Sequence, residues 1–429
     1  MGVVYTVVAY LLAPILLLNW LLRGWRERGY WRHLGERAGF GRRLAPGALW
    51  LHAVSAGEVQ ASAPLVALLQ RQRPSLPLVV TTATPAGRAR ALALFPAADV
   101  RYLPIDLPGA VARFFHRVRP SAGVIVETEL WPHLYARAAR TRVPVVVASA
   151  RLSARSAARY AVLPGLTRRT LHGVSVAAQT ELDAARFIAI GADPARTRVT
   201  GNLKFDHVPR GTEAAQAWRS AFAGRPVWVA GSTHPVEEDR VLAAHCLVRQ
   251  SFPDALLVLV PRHPPRFAEV EAALVRDGIA CAVRRGPGPL PPLADASVLL
   301  IATLGELECA YAAGDVAFVG GSLVPVGGHN LLEPALAGRP VLFGPSHATA
   351  RAMADVILGA GGGAVVADEA ALGAALLAYF RAPETREIAG NRARAAVAGS
   401  RGAAARTAAL VEAVFDEAGL ARPAAEPTG

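Results

Sequence analysis

Two doubly wound α/β domains behind an apolar N-terminal helix are what this sequence predicts, and three observations predict them. The chain has 429 residues, room for two ordinary domains each with its own core. Short runs of Val, Ile and Leu alternate with Ala-rich stretches of helical length, the pattern of parallel sheets covered on both faces. The runs fall into two series with a strandless stretch between them.

The first element is Val3 to Leu22, a stretch without a formal charge. As a helix it is about 30 Å long, matched to the hydrocarbon thickness of a bilayer. No basic residue precedes it and no small-x-small site follows before Arg23, which favours an uncleaved anchor over a cleaved signal. Arg23, Arg26, Arg28 and Arg32 follow at once, and the positive-inside rule then places the remainder in the cytoplasm. Pro14 and Asn19 weaken the span, leaving an interfacial helix as the alternative.

The first series of apolar runs is Leu49 to Val54, Pro77 to Thr82, Gly123 to Val126, Val143 to Ala148 and Val174 to Ala178. The second is Pro226 to Ala230, Ala255 to Val260, Ser297 to Ile301, Val316 to Val319 and Pro340 to Phe343. Between them His, Pro, Arg, Gly and Thr mix without a strand, which suits a linker. The reading divides the chain into an anchor (1–22), a first domain (23–205), a linker (206–224), a second domain (225–415) and a frayed Pro- and Ala-rich tail (416–429).

Composition bounds the function. With 52% hydrophobic and 18% charged residues the chain is too apolar to be disordered. Its 46 basic against 33 acidic residues leave +13, which favours a polyanionic partner: nucleic acid, an anionic lipid surface or a phosphorylated substrate. No nucleic-acid-binding motif and no aromatic platform accompany that charge, so nucleic acid is disfavoured. Cys246, Cys281 and Cys309 have no CxxC spacing, which argues against a disulfide framework or structural zinc and for a reducing compartment. Among all these cations Lys204 is the single lysine, a hint that its position needs a compact ammonium where a planar guanidinium will not serve.

Ligands of doubly wound sheets bind beyond the carboxyl ends of strands, so the loops there are the places to expect chemistry. After the first run comes HAVSAGE, with Glu58 at a strand-to-helix junction. A carboxylate there could accept a proton from an attacking hydroxyl, although Ser55-x-x-Glu58 is also an ordinary capping box. VIVETELWPHLY carries Glu127 and Glu129 on one side of an extended chain, close enough to raise one pKa, or else both simply complement the helix opened by Pro132.

In the second series VWVAGSTHPVEED passes through Gly231, Ser232, Thr233 and His234 into a helix expected to hold Pro235 in its first turn, where free N–H groups suit phosphate. LVPRHPPRF brings Arg262 and His263 to the same rim. VGGSLVPVGGHNLLEPALAGRP places Gly320, Gly321, Gly327 and Gly328 before Glu333, which could accept both hydroxyls of a ribose, a nucleotide-sugar site in outline. No DxD and no clustered metal ligands occur, so no metal and no cofactor are expected. Arg151, Arg155 and Arg159 at helical spacing in SARLSARSAARY read as a solvated face or a contact for lipid phosphates.

Taken together, HAVSAGE, TTATPAG, LPIDLP, ETELWP, ARLSARS, AAQTELDAARF, VTGNLKFD, GSTHPVEED, LVPRHPPRF, LGEL and GGSLVPVGGHNLLEPA, behind an N-terminal anchor, resemble the Kdo (3-deoxy-D-manno-octulosonic acid) transferase family. The resemblance covers almost the whole chain. It implies a GT-B fold, two Rossmann-like domains facing a cleft, in a membrane-bound enzyme of lipopolysaccharide core synthesis. The reaction it implies is inverting transfer of Kdo from CMP-Kdo to a lipid A precursor (lipid IVA) at the cytoplasmic side of the inner membrane. By the same resemblance Glu58 is the general base, while Glu127 and Lys204 match positions that stabilise the transition state. CMP contacts fall on Pro261, Arg262, Leu304, Gly305, Glu306, Asn330, Leu331, Leu332 and Glu333, with Ser232 on the same rim. Two departures stand out, GGHNLLE where many relatives read GGHNPLE and TLGEL where they read TMGEL. The alternatives are another lipid-directed GT-B enzyme using a UDP-sugar and a non-catalytic membrane-tethered lipid-binding protein.

Overall fold

The computed structural model describes residues 3–206 and 212–420. Two compact units emerge, Met1–His207 with Arg401–Gly429, and Val208–Ser400.

The first unit is built on seven parallel strands: β1 (Ala48–His52), β2 (Leu78–Thr82), β3 (Asp99–Tyr102), β4 (Pro120–Val126), β5 (Val145–Ala150), β6 (Ser175–Ala178) and β7 (Thr197–Val199). Their order is β3-β2-β1-β4-β5-β6-β7, so the winding reverses between β1 and β4. Central strands are buried along nearly their whole length because both faces are covered. On one face Trp50 meets Phe114 and Phe115 edge-on at ring-centroid distances of 5.5 and 5.9 Å. The other face is closed by the helix Ala56–Gln72 together with the C-terminal helix Ala403–Glu417, through Leu65, Leu69, Val411 and Phe415.

The second unit has β8 (Val227–Thr233), β9 (Leu256–Pro261), β10 (Cys281–Arg284), β11 (Val298–Ile301), β12 (Val316–Val319), β13 (Val341–Phe343) and β14 (Gly363–Val365). The order β10-β11-β9-β8-β12-β13-β14 is again parallel throughout and reverses between β8 and β12. Trp228, Leu257, Leu259, Leu300 and Phe318 fill its core. Each such side chain contributes roughly 1.5–3 kcal/mol when fully withdrawn from water.

The unit boundaries differ from those read in the sequence. Residues 401–415, expected in the second domain, join the first: Arg73 Nη2 lies 2.9 Å from Glu412 Oε2 with both side chains almost fully buried, and Arg73 Nη1 donates to the Leu420 carbonyl at 2.8 Å. Such a buried bidentate pair resists disruption because removing one partner strands a charge. The stretch read as linker contains the helix Thr212–Ala221, fastened to the second unit by Arg219 on Asp315 at 2.7 Å. The anchor helix runs past Leu22 to Arg26. Residues 207–211 of the linker and 421–429 of the tail lie outside the described residues. Strands β3, β7, β10 and β14 went unrecognised because they are short and lie at or beside the sheet edges, where an alternating or polar composition suffices.

Candidate active site

In the first unit Glu58 follows β1 and Glu127 follows β4, the neighbours between which the winding reverses and a crevice opens. The capping box forms: the Glu58 N–H donates to Ser55 Oγ at 3.3 Å, while the Ser55 hydroxyl and the Val54 N–H donate to the Glu58 carboxylate at 2.9 and 2.8 Å. Capping and proton transfer are compatible here, since the cap fixes the rotamer of a carboxylate that stays half-buried and reachable. Burial raises its pKa above the ordinary value, with Glu127 adding to the effect against the two hydrogen bonds and Lys204.

Glu127 has φ 63°, a left-handed conformation rarely adopted by a residue with a Cβ. Its Oε1 lies 2.8 Å from Lys204 Nζ, and the two side chains are 26% and 30% exposed, so the pair is shielded yet open at one end. Lys204 stands on the short 3-10 turn Leu203–Asp206. Asn202 Oδ1 accepts the Lys204 N–H at 2.9 Å, and Asp206 accepts the N–H groups of Gly402 and Ala404, so the C-terminal helix helps hold the lysine in place. Gly201, at φ 95°, makes the preceding turn; a Cβ there would also come 3.0 Å from Arg406 Nη2.

Glu129 belongs to the same group. Burial, reinforced by Glu58 and Glu127, pushes it up to about 7 against a 2.7 Å hydrogen bond from the Trp131 indole. The like-charge effect read from the i, i+2 spacing of Glu127 and Glu129 contributes to the rise at Glu129, with burial the larger cause. Three carboxylates and the single lysine thus converge from segments far apart in sequence.

In the second unit the expected residues lie on loops after four adjacent strands. Ser232 is on the end of β8 at φ 57°, Pro261 and Arg262 close β9, Leu304 to Glu306 follow β11, and Asn330 to Glu333 follow β12. Arg262 and Leu304 are exposed, and Gly305, at φ 88°, has open space where a Cβ would stand. Leu331 and Leu332 are buried, so a ligand could reach only their backbone. Asn330 Nδ2 donates to Glu333 at 2.9 Å while its Oδ1 accepts the Leu332 N–H at 3.1 Å, fixing the start of the helix Leu332–Leu336. Glu306 is gripped by Arg284 at 2.7 Å and by the Thr303 hydroxyl; these hold its pKa below the usual carboxylate value although burial alone would raise it.

Two features were not anticipated. The helix after β8 begins at Glu237, leaving Pro235 outside it and Val236 at φ 72°. Fully buried, Glu237 accepts the N–H groups of Gly321, Ser322 and Leu323 at 2.7, 3.0 and 2.9 Å, and that of His234 at 3.2 Å. The His234 N–H, in the stretch expected to meet phosphate, is thus committed internally, and the glycine loop is held by a buried carboxylate. The acidic start of the helix was visible in the sequence, but nothing there says that it reaches residue 321.

The second feature is a histidine group. His234 and His329 stack with Nε2 atoms 2.7 Å apart, and His263 meets His234 edge-on. Burial and the neighbouring Arg262 and histidines lower all three pKa values, His329 to about 4. Neutral imidazoles beside Arg262 make a rim that would gain positive charge when an anion arrives.

Two parallel, doubly wound units, each with polar loops at its reversal point, are the GT-B architecture. A family model described as 3-Deoxy-D-manno-octulosonic-acid transferase (kdotransferase) matches residues 31–207. A 3-deoxy-D-manno-octulosonic acid transferase of Bordetella pertussis is 40% identical over 95% of this chain and 98% of its own length. One of Haemophilus influenzae is 35% identical over 95% and 97%. This chain belongs to the 3-deoxy-D-manno-octulosonic acid transferase family. In fold alone it is similar to the UDP-GlcNAc 2-epimerase of Neisseria meningitidis bound to UDP-GlcNAc, with 15% identity, a TM-score of 0.56, and coverage of 86% of this chain and all of that one.

Proposed function

We propose that this enzyme transfers Kdo from CMP-Kdo to a lipid A precursor, lipid IVA, with inversion at the anomeric carbon, at the cytoplasmic face of the inner membrane. The observation that carries the reading is the grouping of Glu58 with the Glu127–Lys204 pair at the reversal point of the first sheet, in a chain of this family.

Glu58, oriented by Ser55 and Val54, takes the proton of an acceptor hydroxyl as its oxygen attacks the anomeric carbon; the bond to the CMP phosphate oxygen breaks and CMP leaves with that electron pair. A raised pKa suits a base that must bind a proton in the transition state, and it must still be ionised at the start. Glu127 holds Lys204 as a fixed cation for developing negative charge. On the second unit Arg262 and the histidine group meet the donor's anionic groups, and Glu333, braced by Asn330, receives ribose hydroxyls. The reading calls for no cofactor besides the donor. The net charge of +13 suits a phosphorylated lipid acceptor, and the helix Val3–Arg26 supports a membrane location.

The test is product mass after incubation with CMP-Kdo and lipid IVA. Addition of one or more Kdo units supports the reading; an unchanged acceptor, or equal use of a UDP-sugar, overturns it.

A further inference from the structure

The helix Val3–Arg26 is long and apolar enough to cross a bilayer, with a mean hydropathy of 1.9 over its best window. It is nevertheless fastened to the first unit near both ends. Near its start the Tyr5 hydroxyl donates to Asp106 Oδ2 at 2.7 Å, Thr6 Oγ1 lies 3.4 Å from His133 Nε2, and the Tyr5 and His133 rings are 5.1 Å apart. Asp106 also accepts the His133 and Leu134 N–H groups at 3.0 and 2.9 Å, so Tyr5 is hydrogen-bonded to a carboxylate that caps a helix of the folded unit. Near its end Trp20 stacks under the Arg37 guanidinium, 4.3 Å from the ring centre, and Arg37 is itself buried against Tyr102.

Fifteen residues separate these attachments, about 22 Å of helix. A helix tied to one unit at both ends lies flat against it. Its covered positions are Tyr5, Thr6, Ala9, Ala13, Trp20 and Gly24, a single stripe at helical spacing. Ala9 and Ala13 let the backbone approach closely, and at Gly24 a Cβ would collide with the Trp31 ring. On the opposite face Val4, Leu11, Ile15, Leu18, Leu22 and Trp25 are 56–80% exposed.

We infer that this helix does not cross the membrane but lies in its plane, seating the first unit on the headgroup–acyl boundary of an anionic bilayer. Charge complementarity argues for this occupant. Arg23, Arg28 and Arg32 flank the apolar face and are exposed. A second patch agrees independently: Val162 and Leu163, 74% and 58% exposed, form the turn after the helix Ala154–Ala161, whose Arg155 and Arg159 are also exposed. Tyr160 of that helix lies within electrostatic reach of Tyr5 at the start of the first helix. Apolar residues ringed by arginine are the pattern of a monotopic surface. A perpendicular helix would instead carry Tyr5 about 20 Å or more from Asp106.

The inference rests on the membrane association proposed above and separates from it experimentally. Single cysteines at Val4, Leu11, Ile15 and Leu22, in the full chain with Cys246, Cys281 and Cys309 replaced by Ser, carry a fluorophore. Its depth is read by brominated-lipid quenching in phosphatidylcholine–phosphatidylglycerol vesicles. Equal, shallow depth at all four positions is expected, about 5–10 Å below the headgroups. A profile deepest at Leu11 and Ile15 and shallow at Val4 and Leu22 means a spanning helix and overturns the inference while leaving membrane association intact. No binding to vesicles overturns both. In the unsubstituted chain, an N-terminal epitope in intact spheroplasts should resist external protease; its digestion overturns the in-plane placement whatever the cysteine variants do.

Discussion

The two units share a parallel, doubly wound plan and carry opposite chemistry at its reversal point. In the first, the loops after β1 and β4 gather Glu58, Glu127 and Glu129 around one lysine; in the second, the loops after β8, β9 and β12 gather His234, His263, His329 and Arg262 above a glycine loop. Burial, reinforced by neighbouring carboxylates, raises the pKa values of Glu58 and Glu129 and suits proton acceptance. Imidazoles crowded beside an arginine have lowered ones and suit an incoming anion. In both units the winding sets where polar loops gather, while a few loop residues set their charge.

The largest effect is expected from removing the proposed base of the first unit. Glu58→Gln keeps the volume and is expected to cut transfer by roughly 10²–10⁴-fold while CMP binding stays unchanged. Turnover near wild type in a single-turnover assay would move the base elsewhere. Lys204→Met leaves Glu127 without its partner and is expected to lower kcat by about 10²–10³-fold, and Lys204→Arg should restore little of it, because a guanidinium does not occupy the place of a compact ammonium.

Glu237→Ala tests the second unit's loop. It strands three backbone N–H groups of the glycine loop and should cost about 3–5 kcal/mol of stability in urea unfolding of the full chain. Glu237→Gln should cost less.

Glu129→Gln removes a carboxyl group whose pKa burial, reinforced by Glu58 and Glu127, raises to about 7. It is not among the groups that raise Glu58, so the acidic limb of the pH–rate profile should stay in place while stability changes. Because the folded pKa of Glu129 is raised to about 7, its favourable contribution is complete below its ordinary 4.5 and lost as pH rises through about 7. The variant should therefore be more stable than wild type at pH 8, the gap closing towards pH 4.5; a gap of the other sign refutes the assignment.

The smallest effect concerns the histidine group. CMP should bind more tightly as pH falls from 7 to 5 and should take up protons, since its phosphate raises pKa values that burial and Arg262 hold down. Calorimetry in two buffers of different ionisation heat reads this directly, and equal heats would exclude it.

The central strands were legible because both faces of each are covered, so their residues must be apolar nearly without interruption, as in VWVA or LLVLV. Glu58 was legible too, since Ser55-x-x-Glu58 is a local pattern whose hydrogen bonds close within four residues. Lys204 stood out only as a compositional oddity. Its partner Glu127 lies 77 positions away, and no local rule couples them.

Periodicity and short-range hydrogen bonding encode two covered parallel sheets, the cap at Glu58 and an apolar first helix, and these were legible from the chain alone. Tertiary structure alone decided that Ala403–Glu417 returns to the first unit through Arg73 and Glu412, that Glu237 underpins a loop more than eighty residues on, and that Tyr5 and Trp20 tie the first helix along its unit. The physical reason is common to all three. Each is a pairing of buried or half-buried polar groups, whose partner is selected by which surfaces the packed strands and helices bring within about 3–5 Å and not by any spacing along the chain.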